Sequence, residues 1–349
     1  MQTPILGITM GDASGIGPEI IVSAWPEIVR QIPCRPFVYG HPDVLRRTGS
    51  IIVREINSPA EAPLPCPNSI PCLRCGPDSV TQVLPGGIDA RAGDAAYQAI
   101  VRAIDDAKAG TIDGVVTAPI HKGALNLAGH HYPGHTEIFA ERCGVDDFAM
   151  MLYLGAGENI ASPNGLAVVH VTLHTAMKNI FDQITVESVL AKTRLADHFM
   201  RRIFDRSDRT PSIGVCSLNP HAGEDGLFGR EEIEIIRPAV EAAVAEKRHV
   251  EGPFPADTIM IDAKNGKYDA VVAMFHDQGH IALKLLGMHR AVNVTLGLPI
   301  IRTSVAHGTA FDKAWQCNIQ SGGAQFGSMI EAVRVAAKLA VTDRGRSNS

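Results

Sequence analysis

Nowhere in the 349-residue chain do the ~18 apolar residues needed to cross a bilayer run together. The start, MQTPILGITMGD, lacks a basic n-region and a long apolar h-region, so an unprocessed cytoplasmic protein with no membrane partner is expected. Charge of one sign is missing too. Lys+Arg is 32 against Asp+Glu 37, a net charge of -5, and no dense basic stripe could track a phosphate backbone, so nucleic acid is not an expected partner. The seven cysteines, Cys34, Cys66, Cys72, Cys75, Cys143, Cys216 and Cys317, are odd in number and irregularly spaced, which fits a reducing compartment better than a disulfide framework. Cys72 and Cys75 form a lone C-x-x-C without the second pair of a zinc ribbon or the strand-to-helix setting of a thioredoxin-like site. Internal repeats are absent, and low complexity is confined to the polar end, Thr342 to Ser349. What remains is an ordinary globular composition, 45% hydrophobic and 20% charged, long enough for one large or two medium domains.

Short β-branched runs alternate with amphipathic stretches, which predicts an α/β architecture. The predicted strands are Ile5 to Met10, Val115 to Ala118, Val168 to Thr172, Ile213 to Leu218 and Val271 to Phe275. Two of them are continuous apolar runs, as expected of strands covered on both faces in a parallel or mixed central sheet. Phe326, Met329, Ile330, Val333, Ala336, Ala337 and Ala340 keep the spacing of one buried helix face, as do Val186, Val189, Leu190, Ala196, Phe199, Met200 and Ile203. A helix around Glu231 to Val244 carries Pro238, which predicts a kink or a restart. Ser58 to Pro85 holds seven prolines and three cysteines with little periodicity and reads as an interdomain loop or an arm reaching a partner subunit.

Several histidines follow predicted strands immediately, where open α/β sheets place their ligands. His170 lies in VVHVTLH, His221 follows Asn219-Pro220, and His276 opens HDQGH. Three imidazoles at one sheet edge could hold a divalent metal with positions left open; the alternative is three unrelated histidines bonded to backbone. His174, His280 and His289 read as outer-sphere or surface residues. GDASGIGPE follows the first strand, and Gly11, Gly15 and Gly17 would let backbone approach a ligand or merely make a tight turn; it matches neither a Walker loop nor a Rossmann fingerprint. Lys122, His135 and Thr136 lie in glycine-punctuated segments that open helices, which suits an anionic substrate. Lys284, Asn293 and Arg302 each border an apolar segment and together would make an anion pocket, although Lys284 or Arg302 alone reads as part of a solvated face.

MGDASGIGPE, VTAPIHKGAL, GHTEIFAE, SLNPHAGEDGLFGREE, GPFPADT, YDAVVAMFHDQGH and VNVTLGLPIIRTSVAHGTA together resemble the 4-hydroxythreonine-4-phosphate dehydrogenase family, over roughly Gly7 to Leu339. The resemblance implies a two-domain fold like that of isocitrate and isopropylmalate dehydrogenases, with a mixed central sheet, an active-site cleft between domains, and a homodimer with the site at its interface. A cofactor-side part of about 1–125 plus 290–340 and a metal-binding, dimerising part of about 126–289 follow from it. Gly15-Ile16-Gly17-Pro18-Glu19 and His307-Gly308-Thr309-Ala310 echo the isopropylmalate group's GDGIGPE and HGSA, which places cofactor binding at Gly15, Gly17, His307, Gly308 and Thr309.

Carried over, the family's metal ligands fall on His170, His221 and His276, and its substrate-binding residues on His135, Thr136, Lys284, Asn293 and Arg302. The implied reaction moves a hydride from a secondary alcohol to NAD, with NADP as the alternative, and the resulting β-keto acid loses carbon dioxide. A divalent ion (zinc, manganese, cobalt or magnesium) would acidify the hydroxyl and stabilise the enolate. Lys122, Asp277 and His135 are the candidate general bases, in that order. Two departures border the cofactor loop: Lys313-Ala314-Trp315-Gln316-Cys317 where a pattern close to I-A-G-K-G is usual, and Ala306 where Asp is common. YPGHTE and HAGEDGLFGREE resemble the branch acting on 4-phosphothreonate or 4-phosphoerythronate, whereas HVTLH resembles the terephthalate cis-dihydrodiol dehydrogenases. A non-catalytic metabolite-binding protein is the third reading, motivated by Trp315 and Ala306.

Overall fold

The computed structural model describes residues 3–157, 159–204, 209–315 and 324–347, and within them the chain divides into two compact units, 1–148 with 298–349 and 149–297. The first segment runs β1 (Ile5–Thr9), α1 (Gly17–Gln31), β2 (Arg35–Gly40), α2 (Pro42–Arg47), β3 (Ile52–Ile56), β4 (Ser69–Arg74), α3 (Ala90–Lys108), β5 (Gly114–Thr117), α4 (Lys122–Leu127) and α5 (His135–Cys143). The second unit runs β6 (Ala149–Leu154), β7 (Leu166–His170), α6 (Ile180–Gln183), α7 (Val186–Ile203), β8 (Ser212–Cys216), α8 (Arg237–Ala245), β9 (His249–Phe254), α9 (Ala256–Lys264), β10 (Ala270–Ala273), α10 (His276–Gly287) and β11 (Val292–Leu296). The chain then returns to the first unit with β12 (Arg302–Val305) and α11 (Gly327–Ser347).

In the first unit the strands lie β3-β4-β2-β1-β5-β12, every neighbouring pair parallel. Strands buried on both faces need apolar runs without alternation. Leu6, Ile8, Phe37, Val38, Val115 and Val116 are accordingly wholly buried. In the second unit the order is β11-β6-β7-β10-β8-β9, with β6 antiparallel to both β11 and β7 and the remaining pairs parallel. The mixed α/β character expected from the alternating runs is present.

The five predicted strands appear as β1, β5, β7, β8 and β10, and both predicted helix faces are buried, in α7 and α11, except that Val186 is exposed at the start of α7 and half-buried Phe326 stands just before α11. Around Pro238 the chain makes one π-helical turn, Glu232–Ile236, and restarts as α8 with the proline in its first turn, where a missing N–H costs nothing. The reading of Ser58 to Pro85 as a linker or arm is corrected. The stretch contains β4, which lies between β3 and β2, and Cys72 and Ile70 are fully buried. Pro71 is tolerated because pairing with β2 begins only at Cys72, so at Pro71 β4 has β3 alone beside it. Cys34, Cys66, Cys72, Cys75, Cys143 and Cys216 are free thiols, while Gln316 and Cys317 lie outside the described residues. Among the described residues no helix is long and apolar enough to cross a membrane.

Candidate active-site residues

In the first unit the ends of parallel strands carry the polar groups. Arg302 begins β12, is 2% exposed, and donates from Nη2 to Thr117 Oγ1 at 2.9 Å, with its guanidinium over the Phe139 ring at 5.6 Å. Burial lowers its pKa to about 10 against the opposing pull of Glu137, which still leaves it cationic at neutral pH. His135 and Thr136 open α5, whose N-cap is Gly134 with no side-chain cap, so the first-turn N–H groups point outward. Burial holds the His135 imidazole well below its ordinary pKa, the Arg302 charge adds to this, and a bond with the Ala118 backbone opposes it. His135 is therefore a neutral ring with Nε2 buried and without a partner, beside a buried cation. A helix N-terminus, a guanidinium and a neutral imidazole together favour an anion with several oxygen atoms. Lys122 is the exposed first residue of α4, and the His121 ring caps that helix by accepting from Ala124 N at 3.3 Å.

The glycine turn and the His307 loop also meet within this unit. Ile16 N donates to Thr309 O at 3.0 Å, and a Cβ on Gly15 would lie 2.9 Å from Thr309 Cβ. Gly17 begins α1, and a Cβ there would strike Met10 O at 2.4 Å, so this glycine serves close backbone packing. Gly308 faces open space, and His307 Nδ1 lies 3.1 Å from Gly308 O. Beside the loop, Ala306 N donates to Ser328 Oγ, and Trp315 N donates to Glu19 Oε2 at 2.9 Å while the Arg47 guanidinium sits 4.7 Å from the indole. Gly15 is thus packed directly on Thr309, and Gly308 of the same loop faces open space.

In the second unit the three predicted metal histidines do not come together. His170 ends β7, His276 opens α10, and their rings are 6.2 Å apart. Between them stands His280, 6% exposed, with Nδ1 3.1 Å from His170 Nε2 and its ring stacked on His276 at 3.7 Å; His174 adds a fourth ring, 5.8 Å from His276. Burial lowers His170 to about 4, and burial with the charges of His170, His276 and Lys284 lowers His280 to about 2. His276 Nδ1 lies 2.7 Å from Asp277 Oδ1.

His221 is elsewhere. Its side chain is 76% exposed, with Glu224 Oε2 at 3.9 Å, and it begins a left-handed turn in which His221, Ala222, Gly223, Glu224 and Asp225 have φ of 52, 54, 76, 44 and 54°. That turn is braced by Glu232, 1% exposed, whose Oε1 accepts from Leu218 N and Asn219 N at 2.8 Å. Among the described residues no three His, Cys, Asp or Glu side chains are close enough to hold a metal ion. The donor set as placed therefore does not fit the implied ion, because the third imidazole is turned to solvent and His280 occupies the free nitrogen of His170. Lys284 lies two turns into α10, half-buried, and Asn293 of β11 has a buried Oδ1 without a partner.

Sequence reasoning reads His280 only as an outer-sphere or surface residue and does not single out Glu232. The i, i+4 spacing of His276 and His280 on one helix was a readable signal for the first, since such residues share a face. Nothing in the sequence marks Glu232 as the brace of a left-handed turn.

The family described as pyridoxal phosphate biosynthetic protein PdxA matches residues 33–336. A D-threonate 4-phosphate dehydrogenase from Pectobacterium atrosepticum is 41% identical over 97% of this chain and 100% of its own length. Among solved structures, a 4-hydroxythreonine-4-phosphate dehydrogenase from Klebsiella pneumoniae is 40% identical, covering 97% of this chain and 100% of its own, with a TM-score of 0.82. A terephthalate 1,2-cis-dihydrodiol dehydrogenase from Burkholderia xenovorans is 28% identical over 97% and 98%, with a TM-score of 0.64. With a match covering most of its length and relatives of this identity along nearly all of it, the chain belongs to the PdxA family.

Proposed function

We propose that this chain is a nicotinamide-dependent dehydrogenase that oxidises the secondary hydroxyl of a phosphorylated hydroxy acid of the D-threonate 4-phosphate type and releases carbon dioxide from the β-keto acid. The observation that supports this reading most is the anion site of the first unit, where buried Arg302, neutral His135 and the open start of α5 stand together. Thr136 donates its hydroxyl to the same anion, and Lys284 and Asn293 of the second unit are proposed as further substrate contacts. A hydride leaves the carbinol carbon for NAD, with NADP as the alternative, and the hydroxyl proton goes to Lys122 or Asp277. The C–C bond to the carboxylate then breaks, its electron pair enters the new carbonyl as an enolate, and protonation completes the step. Gly15, Gly17, His307, Gly308 and Thr309 are proposed to hold the cofactor.

Metal binding at His170, His221 and His276, the isocitrate dehydrogenase-like kinship and a homodimer belong to the same proposal, and no step above is assigned to the ion. The dihydrodiol reading has its own support in the Burkholderia xenovorans relative and in His174, whose ring stands beside His276.

The test is NADH formation by purified, metal-supplied protein offered D-threonate 4-phosphate, 4-phosphoerythronate, 4-hydroxythreonine-4-phosphate and the terephthalate cis-dihydrodiol in parallel. Turnover of a phosphorylated acid is expected. Turnover of the dihydrodiol alone replaces the phosphate with a second carboxylate, and no turnover together with no nicotinamide binding in calorimetry makes the chain a metabolite binder.

A further inference from the structure

Asp12 is an ionisable residue of the first unit that the proposed steps do not use. It follows β1, is fully buried, and lies where two turns are pressed together. Its backbone N–H donates to Pro119 O at 2.9 Å, and its Oδ1 accepts from Ser14 N at 2.8 Å. Its Oδ2 has no hydrogen-bond partner. Gly11 makes the approach achievable: its φ is +75°, and a Cβ there would lie 2.4 Å from Pro119 O. One side of this junction leads to Gly15, whose N–H donates to Asp12 O at 3.1 Å, and the other to Lys122.

We propose that Asp12 is a positioning residue for the dehydrogenation: its carboxylate holds the turn that carries Gly15 by accepting from Ser14 N, and its own N–H docks that turn on Pro119 O, at the start of the turn that presents Lys122. The inference rests on the dehydrogenase reading above. Burial raises the Asp12 pKa to about 6, Asp89 adds to the rise, and the Ser14 and His121 N–H groups oppose it. The other ionisable groups on the surrounding elements are engaged or exposed. Asp89 caps α3 and pairs with Arg91, the His121 ring caps α4 and stacks on Phe311, Glu19 of α1 accepts from Trp315 N, and Lys122 is exposed.

A folded pKa above the unfolded value means that protonation favours the fold, so Asp12 lowers stability as pH rises from 3.8 to about 6. Asp12→Asn keeps the shape, removes the charge and should be at least as stable as the parent above pH 6 yet a poorer catalyst.

The experiment compares the full chain and D12N in thermal melts from pH 4 to 8 and in steady-state kinetics with D-threonate 4-phosphate and NAD. The expected result is a kcat lowered about tenfold or more with KM nearly unchanged, loss of an acid limb near pH 6, and a parent Tm that falls relative to D12N as pH rises through that window. Parental kcat and pH profile in D12N overturn the positioning role, as does a Tm difference independent of pH. A parent inert toward every acid offered overturns the dehydrogenase reading, and Asp12's part in it falls with it. If D12N does not fold, amide exchange at Ser14 in the parent decides: protection lost below pH 6, beyond the intrinsic pH dependence, supports the role, and unchanged protection overturns it.

Discussion

The two units solve the problem of presenting polar groups from a buried sheet in opposite ways. In the first, all neighbouring strands are parallel and two of the polar side chains are held by hydrogen bonds: Arg302 by Thr117 Oγ1 and Asp12 by Ser14 N. In the second, the sheet is mixed, and its histidines divide between a stack of buried His170 and His280 with partly exposed His276, and a solvent-facing turn that carries His221. One unit holds the residues proposed to bind an anion in fixed positions, whereas the other holds two candidate ligands in place and leaves the third apart. An anion site gains from rigidity because its charge and dipoles need no reorganisation when substrate arrives.

The sharpest test of this contrast is in the rigid unit. Arg302→Met removes the buried cation while keeping much of its volume, and kcat/KM for a phosphorylated acid should fall by about 10- to 150-fold, as expected for one charged hydrogen-bonding partner worth ~1.5–3 kcal/mol. Arg302→Lys should recover only part of this, because an ammonium lacks the planar fork. An unchanged kcat/KM in both variants would remove the anion site from the proposal. In the second unit, Glu232→Ala leaves the Leu218 and Asn219 N–H groups without their acceptor, which should cost about 1–3 kcal/mol of stability in denaturant unfolding. A melt indistinguishable from the parent would show that the left-handed turn does not need its brace.

Much of the fold was legible because burial on both faces leaves its mark as unbroken apolar runs, as in Val115-Val116 and Val271-Val272. β4 was not legible: its prolines look like loop punctuation, and only the neighbour order shows that Pro71 falls where one ladder is absent. The same limit applied to the histidines. Strand-end position selected His170 and His276, which are close in space, but also His221, whose backbone enters a left-handed turn that residue spacing does not reveal. Of the two readings of His280, surface and outer-sphere, the surface one fails: the residue is buried on α10, one turn from His276 and against His170. Arg302, readable alone as a solvated cation, is wholly inside, since β12 begins there beside Thr117.

The smallest expected effect is the most informative about the second unit. His221→Ala removes a side chain that is 76% exposed, so without added metal its stability should match the parent within about 0.5 kcal/mol. His170→Ala removes a side chain that is 1% exposed and leaves His280 Nδ1 facing a cavity, so it should lose about 1–3 kcal/mol under the same conditions. Added zinc or manganese then separates two cases. If the ion draws the His221 turn onto His170 and His276, both variants lose the metal-dependent rise in Tm, because a ligand that binds only the folded state stabilises it in proportion to its affinity. If His221 plays no part in holding the ion, H221A keeps that rise in full. The turn's five left-handed residues are then a fixed feature of the fold, and any metal held by this unit must be sought among His170, His174, His276 and His280.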